Sequence, residues 1–476
     1  MKGILSDLKA APLVWGAVCM ALTITQTCLC AIITVRTAIE LGYHGSDDSL
    51  ATTATGPALV FSIIMAVFVT FWVVTAALGQ RRHQLALLVL QGATPAQLLL
   101  RNLVVVAALF IVATLLSCLL TPLLAPLLMK LILAAFDNIS VPYTNARLLS
   151  ALKVGTTTGG VTALIATVLT VRPLAKIRPI EALRLSQVPP ARIGLVRAIF
   201  GSIVTIGAAC FAILPGLKAQ RVSDFSAYLS DPSSEGTLAG FIGFGFGVMF
   251  LLIFALAAFA PLLLRWFTRL WTQLLPIPSA IWRLARQQAV GRIQRQGMTI
   301  LPMTAGLALM MSFAGILSTM LLTMQTSASG SSQAKSPSMA TIFSTMLAML
   351  APPLVIALAG ALAGLMISAR GRSLDLALTY ISGGNIGQLR ALGSLDGAIM
   401  MTTSTLLAFV ITLASTSSVA FSLSRLTGSF QVSIQWIAWL IVALLVALSG
   451  TIATGLQALT THFSQSVNVL AQTIGE

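Results

Sequence analysis

Charge is what this chain has least of. Only 8% of its 476 residues are Asp, Glu, Lys or Arg, while 57% are hydrophobic, a balance that excludes the soluble classes. The net charge of +16 does not point to nucleic acid, because proteins that hold DNA or RNA are rich in charge as well as basic. Histidine is scarce: His44, His83 and His462 lie far apart, without Cys or acid partners at ligand spacing, so no metal site is expected. None of the lysines follows a Gly, which removes the Gly-Lys-Ser/Thr loop that cradles phosphate; the chain is not expected to be an ATPase or any other enzyme. Acids are missing from the long apolar runs, which speaks against catalytic dyads there and against a proton- or sodium-coupled carrier. The few cysteines, Cys19, Cys28, Cys30, Cys118 and Cys210, all fall inside apolar runs, where a thiol packs as a small hydrophobe.

What is there in abundance is apolar length. About 20 apolar residues cross a hydrocarbon core, and ten runs qualify: 12–35, 57–79, 102–129, 150–171, 198–215, 237–262, 299–323, 340–368, 397–424 and 433–459. They are too long and too uniformly apolar for barrel strands, so the expected fold is an all-α polytopic membrane protein with ten transmembrane helices. The first run is read as a retained span. If the N-terminus is cytoplasmic, the inner segments hold Lys2, Lys9, Arg81, Arg82, Arg101, the cations from Arg172 to Arg197 and from Arg265 to Arg295, and Arg370, Arg372 and Arg390. Cationic loops resist transfer across the bilayer, so both termini are placed in the cytoplasm.

Between spans 2 and 3 lies "RRHQLALLVLQGATPAQL", residues 81–98. The run Leu85–Leu90 predicts a short helix, with Leu87 among its apolar residues, and Gly92 supplies its left-handed cap. Thr94, Pro95 and Gln97 then form a capping box with Pro at the first helical position. The pattern returns between spans 8 and 9 as "RSLDLALTYISGGNIGQL", residues 372–389, with Arg372, Leu376, Leu378 and Gly383 in the places of Arg81, Leu85, Leu87 and Gly92. Asn385 replaces Thr94 as a competent N-cap and keeps its Gln three residues on. The chain therefore reads as an internal duplication: residues 1–184 with spans 1–4 and segment 80–101, residues 185–284 with two extra spans, and residues 285–476 with spans 7–10 and segment 370–390.

These segments, with "RPLAKIRPIEALR" at 172–184, resemble the FtsX-like permease family, the membrane subunits of MacB-type ABC transporters. The tail residues that carry the likeness are Pro179, Glu181, Ala182, Leu183 and Arg184. The likeness is strong over 1–184, looser over about 285–460, and absent from spans 5 and 6. Three departures accompany it: the second copy has Ser373, Leu374 and Asp375 in its helical run, the C-terminal tail lacks the Pro-x-Glu-Ala-Leu-Arg element, and the loop between spans 7 and 8 is only "TSASGSSQAKSPSMA". The expected form is thus the ten-span duplicated one without a large extracellular domain.

The resemblance implies two copies of a separate ABC ATP-binding subunit, with ATP and Mg in that partner and no cofactor in this chain. It implies a coupling interface at Arg81, Arg82, Leu85, Leu87, Gly92, Thr94, Arg372, Leu376, Leu378, Gly383 and Asn385, and a place in a bacterial inner membrane. The expected work is export or extraction of an amphipathic or lipid-like substrate such as an antimicrobial peptide, drug or lipid. Two alternatives stand beside it: a regulatory or signalling permease that moves a partner protein, and a scaffold or carrier not linked to ATP. Nucleic acid is no partner; membrane lipid is. Gly243 and Gly247, and Gly360 and Gly364, have the spacing for close helix packing, and Pro352 and Pro353 are expected to bend span 8. Residues 265–296 read as basic and amphipathic, with Arg283, Arg286, Arg292 and Arg295 on a helix entering span 7 and Trp266, Trp271 and Trp282 as interface anchors.

Overall fold

Hydrophobic runs this long bury their backbone polarity only as helices, and ten helices occur among the described residues. The computed structural model describes residues 12–42, 48–80, 88, 91–135, 148–174, 194–219, 232–275, 277–327 and 339–460. The helices are α1 (Pro12–Gly42), α2 (Asp48–Gln80), α3 (Pro95–Ala135), α4 (Leu148–Leu174), α5 (Leu195–Lys218), α6 (Pro232–Leu274), α7 (Ala280–Ser327), α8 (Met339–Ile381), α9 (Ile386–Thr427) and α10 (Trp436–Thr460). No strand occurs among the described residues. Among them, 9 helices are long and apolar enough to cross a membrane, and Trp439–Gly455 of α10 is a shorter apolar stretch.

Several helices outrun the apolar cores from which they were read. The amphipathic basic segment and span 7 form one helix of 48 residues, about 72 Å at 1.5 Å per residue. Span 8 likewise runs unbroken through Pro352 and Pro353 to Ile381, so residues 372–381 are not a separate short helix but the last turns of α8. Span 9 begins earlier than its apolar run, and this places Asp396, 4% exposed, within α9, one residue before the acid-free run 397–424.

The helices fall into two compact units, residues 1–190 with 337–368, and residues 191–336 with 369–476. In the first unit α1 packs on α3, α2 and α4, and α4 also packs on α2 and α3. Its core joins Ile32, Val35 and Ile39 of α1 to Ala125, Leu128 and Met129 of α3. Polar groups in that seam pair with each other: the Gln26 amide donates to Thr114 Oγ1 at 3.0 Å. Gly155 of α4 faces Cys30, whose Sγ lies 3.7 Å from the Ala151 carbonyl. At the end of α2 the Gln80 amide donates to the carbonyl of Ile367 in α8.

In the second unit α7 packs along α9, α9 along α10, and α6 against α5, α7 and α9. Small and hydroxylated residues let α7 and α9 approach closely. A Cβ on Gly315 would run into Thr416, Ser415 donates to Ser312 Oγ at 2.9 Å, and Ser404 donates to the Ile300 carbonyl at 3.4 Å. Beyond these helices, Ser433 in the α9–α10 loop is tied to α7: its N–H donates to Thr319 Oγ1 at 3.1 Å and its carbonyl accepts from Ser318 at 3.0 Å.

The close crossing of α9 and α10 rests on Gly397 and Gly450. A Cβ on Gly397 would meet the Gly450 carbonyl oxygen at 2.5 Å, and backbone cannot step aside as a side-chain tip does. Of the four glycines expected at packing faces, a Cβ on Gly247 would meet Phe211 at 2.7 Å, and Gly360 and Gly364 are buried. Gly243 has nothing within 4 Å, which corrects that assignment; its neighbour Gly245 faces Val419 and Ile316 instead. Gly397→Ala should therefore lower thermal stability in detergent by about 1–3 kcal/mol, the range for overpacking, while Gly243→Ala leaves it unchanged.

One cation inside an apolar helix has a structural explanation. Pro261 sits within α6, and a proline cannot give the N–H that would bond the carbonyl four residues back, here Ala257. Arg197 of α5 supplies the missing donor: Nη2 donates to the Ala257 carbonyl and Nε to the Ala258 carbonyl, both at 2.7 Å. The sequence offered Arg197 only as one more inner-side cation.

Candidate partner-docking elbows

Each sequence-predicted elbow turns at one left-handed glycine just before a helix start. In the first, Gly92 has φ +90, a conformation that L side chains rarely adopt. The Ala93 N–H reaches back to the Leu88 carbonyl at 3.0 Å, which is the six-to-one bond of a Schellman cap. The reciprocal N-cap follows at once. Thr94 N–H donates to Gln97 Oε1 at 3.0 Å, and Gln97 N–H donates to Thr94 Oγ1 at 3.4 Å. Two otherwise orphaned donors are thereby satisfied and α3 starts at Pro95. Arg81, Arg82, Leu85 and Leu87 lie outside the described residues, as do Pro179, Glu181, Leu183 and Arg184; so do Arg292 and Arg295 as far as their side chains are concerned.

The second elbow has the same left-handed glycine, six-to-one bond and N-cap donation. Gly383 has φ +96, the Gly384 N–H donates to the Thr379 carbonyl at 3.1 Å, and the Gly383 N–H to the Tyr380 carbonyl at 3.0 Å. Asn385 N–H then donates to Gln388 Oε1 at 3.2 Å and α9 begins. Gly384 has its own constraint: a Cβ there would lie 2.9 Å from the Thr379 carbonyl oxygen.

The elbow has an inner and an outer side. Leu376 and Leu389 are 6% and 1% exposed and share a core with Trp282, Ala285 and Ala289 of α7 and with Leu392 and Ile399 of α9. Arg372 is buried as well. These residues hold the elbow against the start of α7. Leu378, Tyr380, Ile381 and Ile386 are exposed, as are Gly383 and Asn385, and they form the surface that a partner can touch.

This core also corrects the reading of the tryptophans. Trp282 is buried and Trp271 packs against the same cluster, its Nε1 donating to Thr403 Oγ1 at 3.1 Å. Only Trp266 is exposed, at 60%, as an interface anchor would be. The sequence assigned all three by their company of arginines; the core that claims two of them is completed by Leu376, Leu389 and Leu392, from helices far along the chain.

A polytopic helical membrane protein with glycine-capped elbows is thus the class that the fold defines. Residues 58–179 match the family model described as FtsX-like permease C-terminal. That stretch takes in most of α2, the whole first elbow, α3, α4 and the start of the tail; the second elbow lies outside it. No curated protein matches the chain.

Proposed function

We propose that this chain is the ten-span membrane subunit of an ABC transporter of MacB type, built from two FtsX-like repeats, 1–184 and 285–476, joined by α5 and α6. The observation that carries the reading is the duplicated elbow: two left-handed glycines, each closed by a six-to-one bond and followed by a capped helix start, the first of them inside the family match. Permeases of that family generally pair with ABC ATPase subunits. Two such subunits, binding ATP and Mg, would each seat one elbow, and closure of the ATPase pair would reach the spans through corners that a cap keeps rigid. The pairing of α1 with α3 and α3 with α4, echoed by α7 with α9 and α9 with α10, supports the duplication. The polar groups between helices are mainly hydroxyls and amides engaged within the protein, which favours an amphipathic or lipid-like substrate, moved along the bilayer-facing surface of a bacterial inner membrane, over a hydrophilic one threading a wet pore.

The test is coexpression with an ABC ATPase encoded beside this chain. The reading expects the two to copurify, two ATPases to each permease, and the ATPase rate to rise several-fold when both are placed in a bilayer. A permease that purifies alone and leaves the rate unchanged overturns it. A membrane-bound kinase or hydrolase purifying with the complex would instead move the assignment to the regulatory class.

A further inference from the structure

Between Glu235 and Asp375 the chain has no acid, and every cation from Arg265 to Arg295 is an arginine. α6 and α7, joined by residues 275–279, both turn one side to the elbow core. On α6 Leu264, Thr268 and Thr272 are buried, and on α7 Trp282, Ala285 and Ala289. The opposite side of both helices is exposed: Arg265, Arg269 and Arg283 stand there among Trp266, Leu270 and Leu284. Arg265 and Arg269 are four apart on one helix, where like charges face each other and cost stability unless an anion lies between them. Arginine matches the geometry of a phosphate with two parallel N–H bonds, whereas lysine acts as a point charge. The exposed Trp and Leu beside them suit the depth at which headgroups meet acyl chains.

We propose that this outward face of the α6–α7 hairpin is a binding surface for anionic phospholipid headgroups. It takes the phosphodiester of a lipid such as phosphatidylglycerol between Arg265 and Arg269, with Arg283 adding charge and Trp266 and Leu270 resting on the glycerol and upper acyl chain. The surface lies outside residues 58–179 and gives α6, one of the two extra helices, a task, holding the second half of the protein to a charged leaflet. It rests on the orientation proposed above only in choosing the inner leaflet.

The full-length chain in neutral detergent is offered equal amounts of phosphatidylglycerol and phosphatidylcholine, and retained lipids are counted by native mass spectrometry. A surface cation contributes about fivefold to binding of an anionic headgroup layer. The wild type should therefore retain phosphatidylglycerol in clear excess, and a chain with Arg265→Gln, Arg269→Gln and Arg283→Gln should fall to near parity. The corresponding three Lys substitutions should keep part of the excess, and Lys218→Gln all of it. If the triple Gln chain does not fold, the single Arg269→Gln variant carries the test, with an expected loss of about fivefold. Parity in the wild type, an undiminished excess in the Gln variants, or displacement of the lipid by soluble glycerol phosphate would each overturn the proposal. So would loss of ATPase association with lipid preference intact, which would assign the face to a protein. Labelling of a cysteine introduced by Pro278→Cys, in a chain whose native cysteines are Ala, reports the leaflet independently, so a wrong orientation and a missing lipid site give different results.

Discussion

A chain carrying Leu378→Asp and Ile386→Asp should fold and insert normally yet lose the ATPase seated at its second elbow. Both side chains are exposed, at 53% and 43%, so their replacement removes little from the chain's own packing. Completing the burial of each against a partner is worth about 1 kcal/mol, and forcing a carboxylate into the same apolar groove costs about 2 kcal/mol more. Across two positions that amounts to at least a thousandfold in affinity, at tenfold for each 1.4 kcal/mol. The ATPase-to-permease ratio should fall from two to one and stimulation of ATP hydrolysis should vanish, while the thermal transition of the isolated permease stays in place. Leu389→Asp provides the contrast. Leu389 is 1% exposed against Trp282 and Leu392, so that variant should lower the permease's own stability by several kcal/mol. A permease with Leu378→Asp and Ile386→Asp that still holds two ATPases and stimulates them would show that the second elbow is not a coupling surface.

The two elbows differ in how much of them was legible in the sequence. Their caps were legible because cap chemistry is local: Gly92 and Gly383, with Thr94–Gln97 and Asn385–Gln388, are decided within a few residues. The side from which each elbow is approached was not. Leu376 and Leu378 look alike in a Leu-rich run, and what separates them is Trp282, which arrives from the start of α7. Span lengths were underread for a related reason. A hydropathy run measures the apolar stretch, whereas α7 and α8 continue as helices through polar turns that pack on protein. The glycines show the same limit. The spacing of Gly243 and Gly247 was visible, yet the crossing that needs glycine joins Gly397 to Gly450, on two different helices with no shared spacing to reveal them.

Arg197 and Pro261 make the sharpest case, because neither residue explains itself alone. Removing the guanidinium, as in Arg197→Met, should leave the carbonyls of Ala257 and Ala258 without the donors that now stand at 2.7 Å. The Ala258 carbonyl keeps the N–H of Leu262 in its own helix, so the loss is that of the Ala257 acceptor and its charged partner, about 3 kcal/mol. Pro261→Ala restores an N–H that can bond the Ala257 carbonyl within the helix, so Arg197→Met in that background should cost only about 1 kcal/mol. The two substitutions should thus couple by about 2 kcal/mol or more in a double-mutant cycle measured by thermal or denaturant unfolding in detergent. Arg197→Lys should recover part of the loss, since one ammonium can reach a carbonyl but has no fixed fork to span two. If Arg197→Met is equally costly with and without Pro261, the arginine acts through its charge or its packing, and α6 does not depend on α5 to repair its proline.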